Sequence, residues 1–407
     1  MIERMRKLFF IFLLASGTLL ILSGCVKKHP LPAWVSRVSS IKEPVGPEEI
    51  FILPEARKIS FNELLSGLEA TTVVYVGETH DQMEHHEIQE RILRALVERG
   101  KGVVLGMEMF QRSQQPVLDQ WSEGLLTEEE FLKQVDWNNT WGMDYSLYKG
   151  ILDQARRLRL KVLGLNIERD LVRKVAETGV QGASHEDRRA IPEMDLGNKE
   201  HRAYIKSIYR GHHRGAARKF EYFYQAQVLW DEAMAEVASK FLRSLEGQGK
   251  TLLILTGRGH VVFDFGIPKR LFRRIPVPYK TVVLAEWKQN QELDFTFSKS
   301  ISPIGDYLWI TRTSPHGMKK PSIGVILKAM EEPGTVSIES VLPGSPADKA
   351  GLLAGDLFLA IDGKDIKGIK DIHHAIAEKG WGKDILLTIL REGLRKEIGI
   401  SLPPSPD

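Results

Sequence analysis

The sequence has a single cysteine. Cys25 is the only one among 407 residues, so no internal disulfide can staple the fold. It also lacks a charge imbalance. With 56 basic and 53 acidic residues the formal net charge is +3, which gives no reason to expect a nucleic-acid partner. Compact catalytic signatures are missing too: no H-E-x-x-H, C-x-x-C, P-loop or G-x-S-x-G is present. "HDQMEH" (80–85) is one residue too long for the inverted zinc-protease motif H-x-x-E-H. Any site must therefore be assembled from residues far apart in the chain.

A long apolar run occurs at the N-terminus, Leu8–Leu22, and it is too short to span a bilayer comfortably as a mature helix. Arg4, Arg6 and Lys7 precede it, and "LSGC" (22–25) ends it with the pattern of a bacterial lipobox. We read 1–25 as a lipoprotein signal peptide and Cys25 as the lipidated residue, which would tie the protein to a membrane through acyl chains and not a spanning helix. Val26 is not an aspartate; by resemblance to lipoprotein sorting this implies an outer-membrane lipoprotein facing the periplasm. Residues 26–55 hold Pro30, Pro32, Pro44, Pro47 and Pro54 and read as a tether.

Hydrophobic content of 43% and charged content of 27% describe a globular chain long enough for two or three domains. "TVVYV" (72–76), "GVVLGME" (102–108), "KVLGLN" (161–166), "TLLILTG" (251–257) and "TVVLAEW" (281–287) are short, continuously apolar runs, as expected of strands buried on both faces of a parallel sheet. An amphipathic helix over 84–100, stopped by Gly100, separates the first two. The alternation predicts an α/β domain over 56–313, mainly a parallel sheet with a large helical insertion between Gln111 and Lys250. Residues 314–320 read as a linker. The tail, 321–402, carries "PGSPADKAGLLAGD" and resembles a bacterial PDZ domain, a small β-sandwich or barrel-like unit. That resemblance places peptide binding at Ile323, Gly324 and Val325, where an extended C-terminus would add by β-augmentation.

Two stretches single out a site. "VVYVGETHD" (73–81) ends a strand on Gly77 and delivers His80 three residues later; "LLILTGRGH" (252–260) does the same with Gly257 and His260. Glu78, Glu108 and Asn166 also fall at strand ends, where an open parallel sheet forms its ligand crevice. Two imidazoles and two carboxylates suit a divalent ion such as Mn, Co or Zn, or an acid/base pair acting on water. His85 and His86 lie in the first turn of a helix and are weaker candidates; His212 and His213 sit in a basic stretch (209–219) that could neutralise carboxylates of a ligand, such as propionates, or be solvated surface.

"YVGETHD", "GMEMFQR", "WNNTWGMDYSLY" (137–148), "GLN", "AQVLWDEAMA" (226–235) and "GRGHVVFDFGIPKR" together resemble the ChaN family of bacterial lipoproteins, within the group that contains the Tiki proteases and erythromycin esterases. The resemblance spans about 50–313. It implies haem binding in iron uptake for the ChaN branch, and a hydrolytic or metal-dependent site on Glu78, His80, Glu108 and His260 for the wider group. Family members use a tyrosine ligand for haem, and the insertion offers Tyr145, Tyr148, Tyr204 and Tyr209, with Trp137, Trp141, Phe220 and Phe223 as walls. The alternatives stay open at this stage: haem carrier, metal-dependent hydrolase, or envelope adaptor acting through its PDZ domain. Whether the chain is an enzyme or a homodimer is also open.

The lipobox makes a direct prediction. Cys25→Ser should leave the precursor unprocessed and release the protein from the membrane fraction; unchanged fractionation would remove the anchor.

Overall fold

The structure is a computed structural model that describes residues 46–212, 219–287, 303–312, 321–330 and 335–404. Cys25 and the rest of 1–45, His213 and the linker 314–320 lie outside the described residues. Among the described residues no helix is long and apolar enough to cross a membrane.

Eight strands form the first sheet: β1 (Ile50–Ile52), β2 (Arg57–Ile59), β3 (Val73–Glu78), β4 (Val103–Gln111), β5 (Val162–Asn166), β6 (Thr251–Gly257), β7 (Tyr279–Glu286) and β8 (Tyr307–Thr311). Their spatial order is β2-β1-β8-β7-β3-β6-β4-β5. From β8 to β5 every neighbour is parallel, while β1 pairs antiparallel with both β2 and β8. The five expected strands are β3 to β7. Strands β1, β2 and β8 were not expected, and Ile50–Ile52 belongs to the sheet although the tether was drawn through residue 55.

The apolar runs are continuous because the sheet is covered twice. Val74, Val76, Leu105, Met107, Leu253 and Leu255 face one layer, and Val73, Tyr75, Val104, Leu252 and Ile254 face the other. The first layer holds helices α1 (Phe61–Glu69), α2 (Met83–Glu98) and α3 (Ser146–Arg157). On the second lie α5 (Phe220–Arg243) and α6 (Ile267–Arg274), with α4 (Lys199–His212) preceding α5. Helix α1 starts on a capping box, in which Ser60 Oγ accepts from Glu63 N while Glu63 reaches back to Ser60 N. Helix α2 ends at Gly100, whose φ of 79° is the left-handed conformation a helix stop favours.

Helix α5 is clamped to α6 by a buried carboxylate. Glu232 pairs with Arg270 at 3.3 Å and Arg273 at 3.1 Å, also meets Arg274, and accepts from Asp195 N at 2.8 Å. The clamp fixes the rotation of α5 and so the aim of its neighbour, Asp231.

The second unit holds β9 (Val325–Ala329), β10 (Val336–Val341), β11 (Leu357–Ile361), β12 (Lys364–Asp365), β13 (Asp384–Arg391), β14 (Leu394–Ser401) and helix α7 (Ile369–Lys379). Strand order is β14-β13-β11-β10-β9, with β12 beside β11. Ile338, Phe358, Ile372, Leu387 and Ile389 fill its core. Strand β9 is an edge.

Where β4 and β5 meet, the fold leaves no room for a side chain. A Cβ on Gly164 would sit 2.4 Å from the backbone oxygen of Gln111. Gly164→Ala should therefore cost about 1–3 kcal/mol, the range for overpacking, read as a lower urea midpoint with an unchanged slope.

Candidate functional site at the carboxyl ends of the strands

The parallel register sets Glu78 opposite Gly257. The carboxyl ends of β3, β6, β4 and β5 thus lie side by side, and the chemistry-bearing residues meet there.

Helix α2 holds the turn after β3. His85 Nδ1 accepts from Thr79 N at 2.9 Å, and His86 Nε2 lies 3.1 Å from the carbonyl oxygen of His80. Both imidazoles are buried and satisfy backbone groups that the turn leaves unpaired. The far nitrogen of His85 meets Thr311 Oγ1 at 3.1 Å. Burial pushes the His85 pKa down to about 3, so it stays neutral, as an accepting Nδ1 requires. His86 was set aside in the sequence reading, yet its Nδ1 lies 3.2 Å from Glu78 Oε2.

Glu78 is buried at the end of β3. Its Oε1 takes His80 Nδ1 at 2.8 Å and the Tyr148 hydroxyl at 3.1 Å. Oε2 has only the off-line approach of His86 and accepts no well-formed hydrogen bond. Burial alone would raise its pKa, but His86 and His80 outweigh it and bring it to about 2. Glu78 is a buried carboxylate held ionised by two imidazoles.

With Nδ1 on Glu78, His80 carries its Nε2 over Gly257. This side chain remains one-third exposed, and Nε2 has no hydrogen-bond partner among the described residues. The ring sits edge-on to Trp141 at 4.9 Å between centroids. Below it is the bare α-carbon of Gly257, where a Cβ would come within 2.9 Å of His80 Cε1 and Nε2. Glycine is required there because the imidazole occupies the space. Burial lowers the His80 pKa, but the Glu78 hydrogen bond and the charges of Glu108 and Glu78 raise it by more.

Glu108 is taken up differently. Oε2 accepts from Thr256 Oγ1 at 2.5 Å and Gly257 N at 2.7 Å, and Oε1 lies 3.3 Å from His260 Nε2. Asn166 Nδ2 donates to its carbonyl oxygen at 3.0 Å. His260 in turn places Nδ1 2.7 Å from Asp231 Oδ1. Beyond Asp231 lie His201 at 3.7 Å and Arg270 at 3.8 Å. Burial lowers the His260 pKa, but Glu108 and Asp231 outweigh it and push it up to about 10. The same pairing holds Glu108 well below the usual carboxylate range.

The structure brings Glu78, His80, Glu108, Asn166 and His260 to one rim and adds His86, Tyr148 and Asp231. Among the described residues no group of three or more His, Cys, Asp or Glu side chains is disposed to hold a metal ion. The tyrosines divide. Tyr148 is fully buried and serves Glu78, so its hydroxyl supports the rim and does not face a ligand. Tyr145, on the same stretch, has a buried hydroxyl without a hydrogen-bond partner, and its ring packs on Trp137. Tyr204 and Tyr209 stand on α4 in a separate aromatic group with Phe263, Phe265, Phe220 and Phe223. Burial raises the pKa of Tyr145 and Tyr148, and that of Tyr204 to about 12.

At the second unit, Gly324 has a φ of 80°, and a Cβ there would lie 2.3 Å from Ser345 Cβ. Ile323 O accepts from Ala347 N at 2.8 Å and Gly324 O from Leu342 N at 2.9 Å. The Ile323–Gly324–Val325 segment is thereby fixed at the start of the open edge β9.

An α/β domain with a carboxylate–imidazole rim, followed by a small antiparallel unit, defines the class. Residues 64–271 match the family described as haem-binding uptake, Tiki superfamily, ChaN, and the chain belongs to that family. Residues 337–391 match the PDZ domain. A solved structure described as "Cofacial heme binding to ChaN of Campylobacter jejuni" shares the fold, with 19% identity and a TM-score of 0.50 over 65% of this chain and 98% of that one. A "Probable periplasmic serine protease do/HhoA-like" of Haemophilus influenzae is 43% identical over 65 residues, 16% of this chain and 14% of that protein. A "Probable periplasmic serine endoprotease DegP-like" of Pseudomonas fulva is 35% identical over 77 residues, 19% of this chain and 16% of its own length. The chain spans less than one fifth of these proteases.

The His260 pairing has a pH signature. Its folded pKa of about 10 stands above the ordinary 6.5, so the stability it contributes is complete below pH 6.5 and is lost as pH rises toward 10. The gap in unfolding free energy between wild type and His260→Gln should shrink over that interval in urea titrations; a constant gap would rule out the charged pairing.

Proposed function

We propose that this protein is a haem-binding lipoprotein of the bacterial envelope, acting in iron uptake, whose PDZ domain recruits a peptide or protein C-terminus. Family membership supports the haem reading. The observation that carries it to particular residues is the open Nε2 of His80, backed by Glu78 at Nδ1 and flanked by Trp141.

Haem supplies an iron centre that takes an axial donor against a flat apolar ring. The donor set fits that need. A carboxylate on Nδ1 places the ring proton there and leaves the Nε2 lone pair for iron, the usual arrangement of a metal-bound imidazole. Trp141 offers an aromatic edge beside it, and Tyr145, whose buried hydroxyl has no hydrogen-bond partner, is the phenol left to test. Lipidation at Cys25 and placement at the outer membrane rest on the lipobox. Peptide capture rests on the open β9 edge and the fixed Ile323–Gly324–Val325 segment.

Hemin added to the protein should give a saturable Soret band. His80→Ala should weaken binding by about tenfold or more, since even a second-shell change at a metal ligand costs roughly 10–100-fold. Tyr145→Phe should shift the band if the phenol contributes. No saturable binding, or binding untouched in His80→Ala, would sink this reading.

A second reading is favoured by the same open nitrogen. An imidazole oriented by a buried carboxylate is also the form of a general base acting on water, which fits a hydrolase; Mn, Co and Zn enter only as additions to the assay, since no metal-holding group is found among the described residues. Turnover of a mixed peptide library that falls by roughly two to four orders of magnitude in His80→Ala would establish it; no turnover with any of the three metals would exclude it.

A further inference from the structure

The two matched turns do not do the same work. Both deliver a histidine three residues after a glycine at the strand end, but the His80 side chain is one-third exposed and His260 is nearly buried. His260 has a carboxylate at each ring nitrogen, Asp231 at 2.7 Å and Glu108 at 3.3 Å, and little of its side chain is exposed.

Follow the contacts from Asp231. This carboxylate is buried on α5, beside the Glu232 that three arginines clamp to α6. It grips His260 Nδ1, and His260 Nε2 faces Glu108 Oε1. Glu108 Oε2 holds Gly257 N. Gly257 is the surface on which the His80 ring rests. Three contacts therefore link a helix of one layer to the floor beneath His80, and a fourth joins that floor to the ring.

We propose that Asp231 is a positioning residue for this site: through His260 and Glu108 it fixes the Gly257 floor under the His80 ring, and His80 is the rim imidazole whose Nε2 has no hydrogen-bond partner among the described residues. The inference deepens the reading of the rim as a ligand site and separates the roles of two histidines that the sequence makes look equivalent. His80 is the rim imidazole that would hold a ligand metal or haem iron, and His260, with a carboxylate at each ring nitrogen, belongs to the support. Asp231 touches no ligand. Its effect passes through distances of hydrogen-bond length in a buried setting, where small displacements are costly to absorb.

The test needs no haem. Diethyl pyrocarbonate acylates accessible, unprotonated imidazole nitrogens, and peptide mass spectrometry reads each histidine separately. In the wild type His80 should react faster and His260 roughly tenfold or more slowly, since carboxylates occupy both His260 ring nitrogens and hold it protonated until the cluster opens. Asp231→Ala should speed His260 and change the His80 rate severalfold. Asp231→Asn, which keeps an acceptor oxygen, should stay near the wild type. His374, on the PDZ helix and 81% exposed, is the internal reference and should not change in any variant; a general loosening of the α/β domain would also speed the buried His85 on α2, which the proposal leaves unchanged. Should Asp231→Ala fail to fold, His260→Gln cuts the same chain and must change the His80 rate. Equal rates at His80 and His260 in the wild type would overturn the proposal, as would a His80 rate unmoved by both Asp231→Ala and His260→Gln. A protein that passes this test and binds no hemin loses the haem reading alone.

Discussion

Glu108 is a carboxylate buried at the end of a central strand, and a buried charge is tolerated only where it is fully paired. Three donors meet it from β6 and the turn that follows: the Thr256 hydroxyl, the Gly257 amide and the His260 imidazole. The backbone ladder between β4 and β6 runs out at Met107 and Leu255. Beyond that point Glu108 continues the junction with its side chain, while its carbonyl ties in β5 through Asn166. Removing Glu108 would strand His260 between strands with a single carboxylate. The rim exists in this form because that one charge has to be satisfied.

A repeated local pattern has been put to two ends. At Gly77 and at Gly257 the chain leaves a buried strand, turns, and presents a histidine. What differs is the element lying over each turn. The His80 turn is covered by α2 and by the indole of Trp141, which leave the ring nitrogen over Gly257 without a hydrogen-bond partner among the described residues. Over the His260 turn comes α5, whose Asp231 closes the second nitrogen. One side of the rim is available and the other is structural.

The central strands could be read from the sequence because burial on both faces leaves a continuous β-branched run, and β3 to β7 all have one. The three others could not. β1 and β2 are three residues each, and Arg57 and Lys58 give β2 the look of a loop. The strand-end residues were legible through the repeated Gly-to-His spacing. Their partners were not: Tyr148 is 70 residues from Glu78, and Asp231 is 29 from His260. Asp231 lay within a motif that marked the family, but nothing local distinguishes a buried acidic residue on a helix from an exposed one. His86 was misjudged because two histidines in a first helical turn usually face water, and here that turn packs under the rim.

The grip of His85 and His86 on the turn after β3 bears on how this region moves. The Thr79 amide and the His80 carbonyl are hydrogen-bonded to side chains of α2. The turn cannot open by itself, since freeing it breaks both contacts and leaves buried imidazoles unmatched. Turn and helix must then fluctuate as one cooperative unit, with an opening energy nearer that of the core than that of a surface loop. A loop that carries a ligand-facing side chain is commonly among the softest parts of a protein; this one is built to be among the stiffest, and whatever reaches His80 has to fit an edge that does not yield.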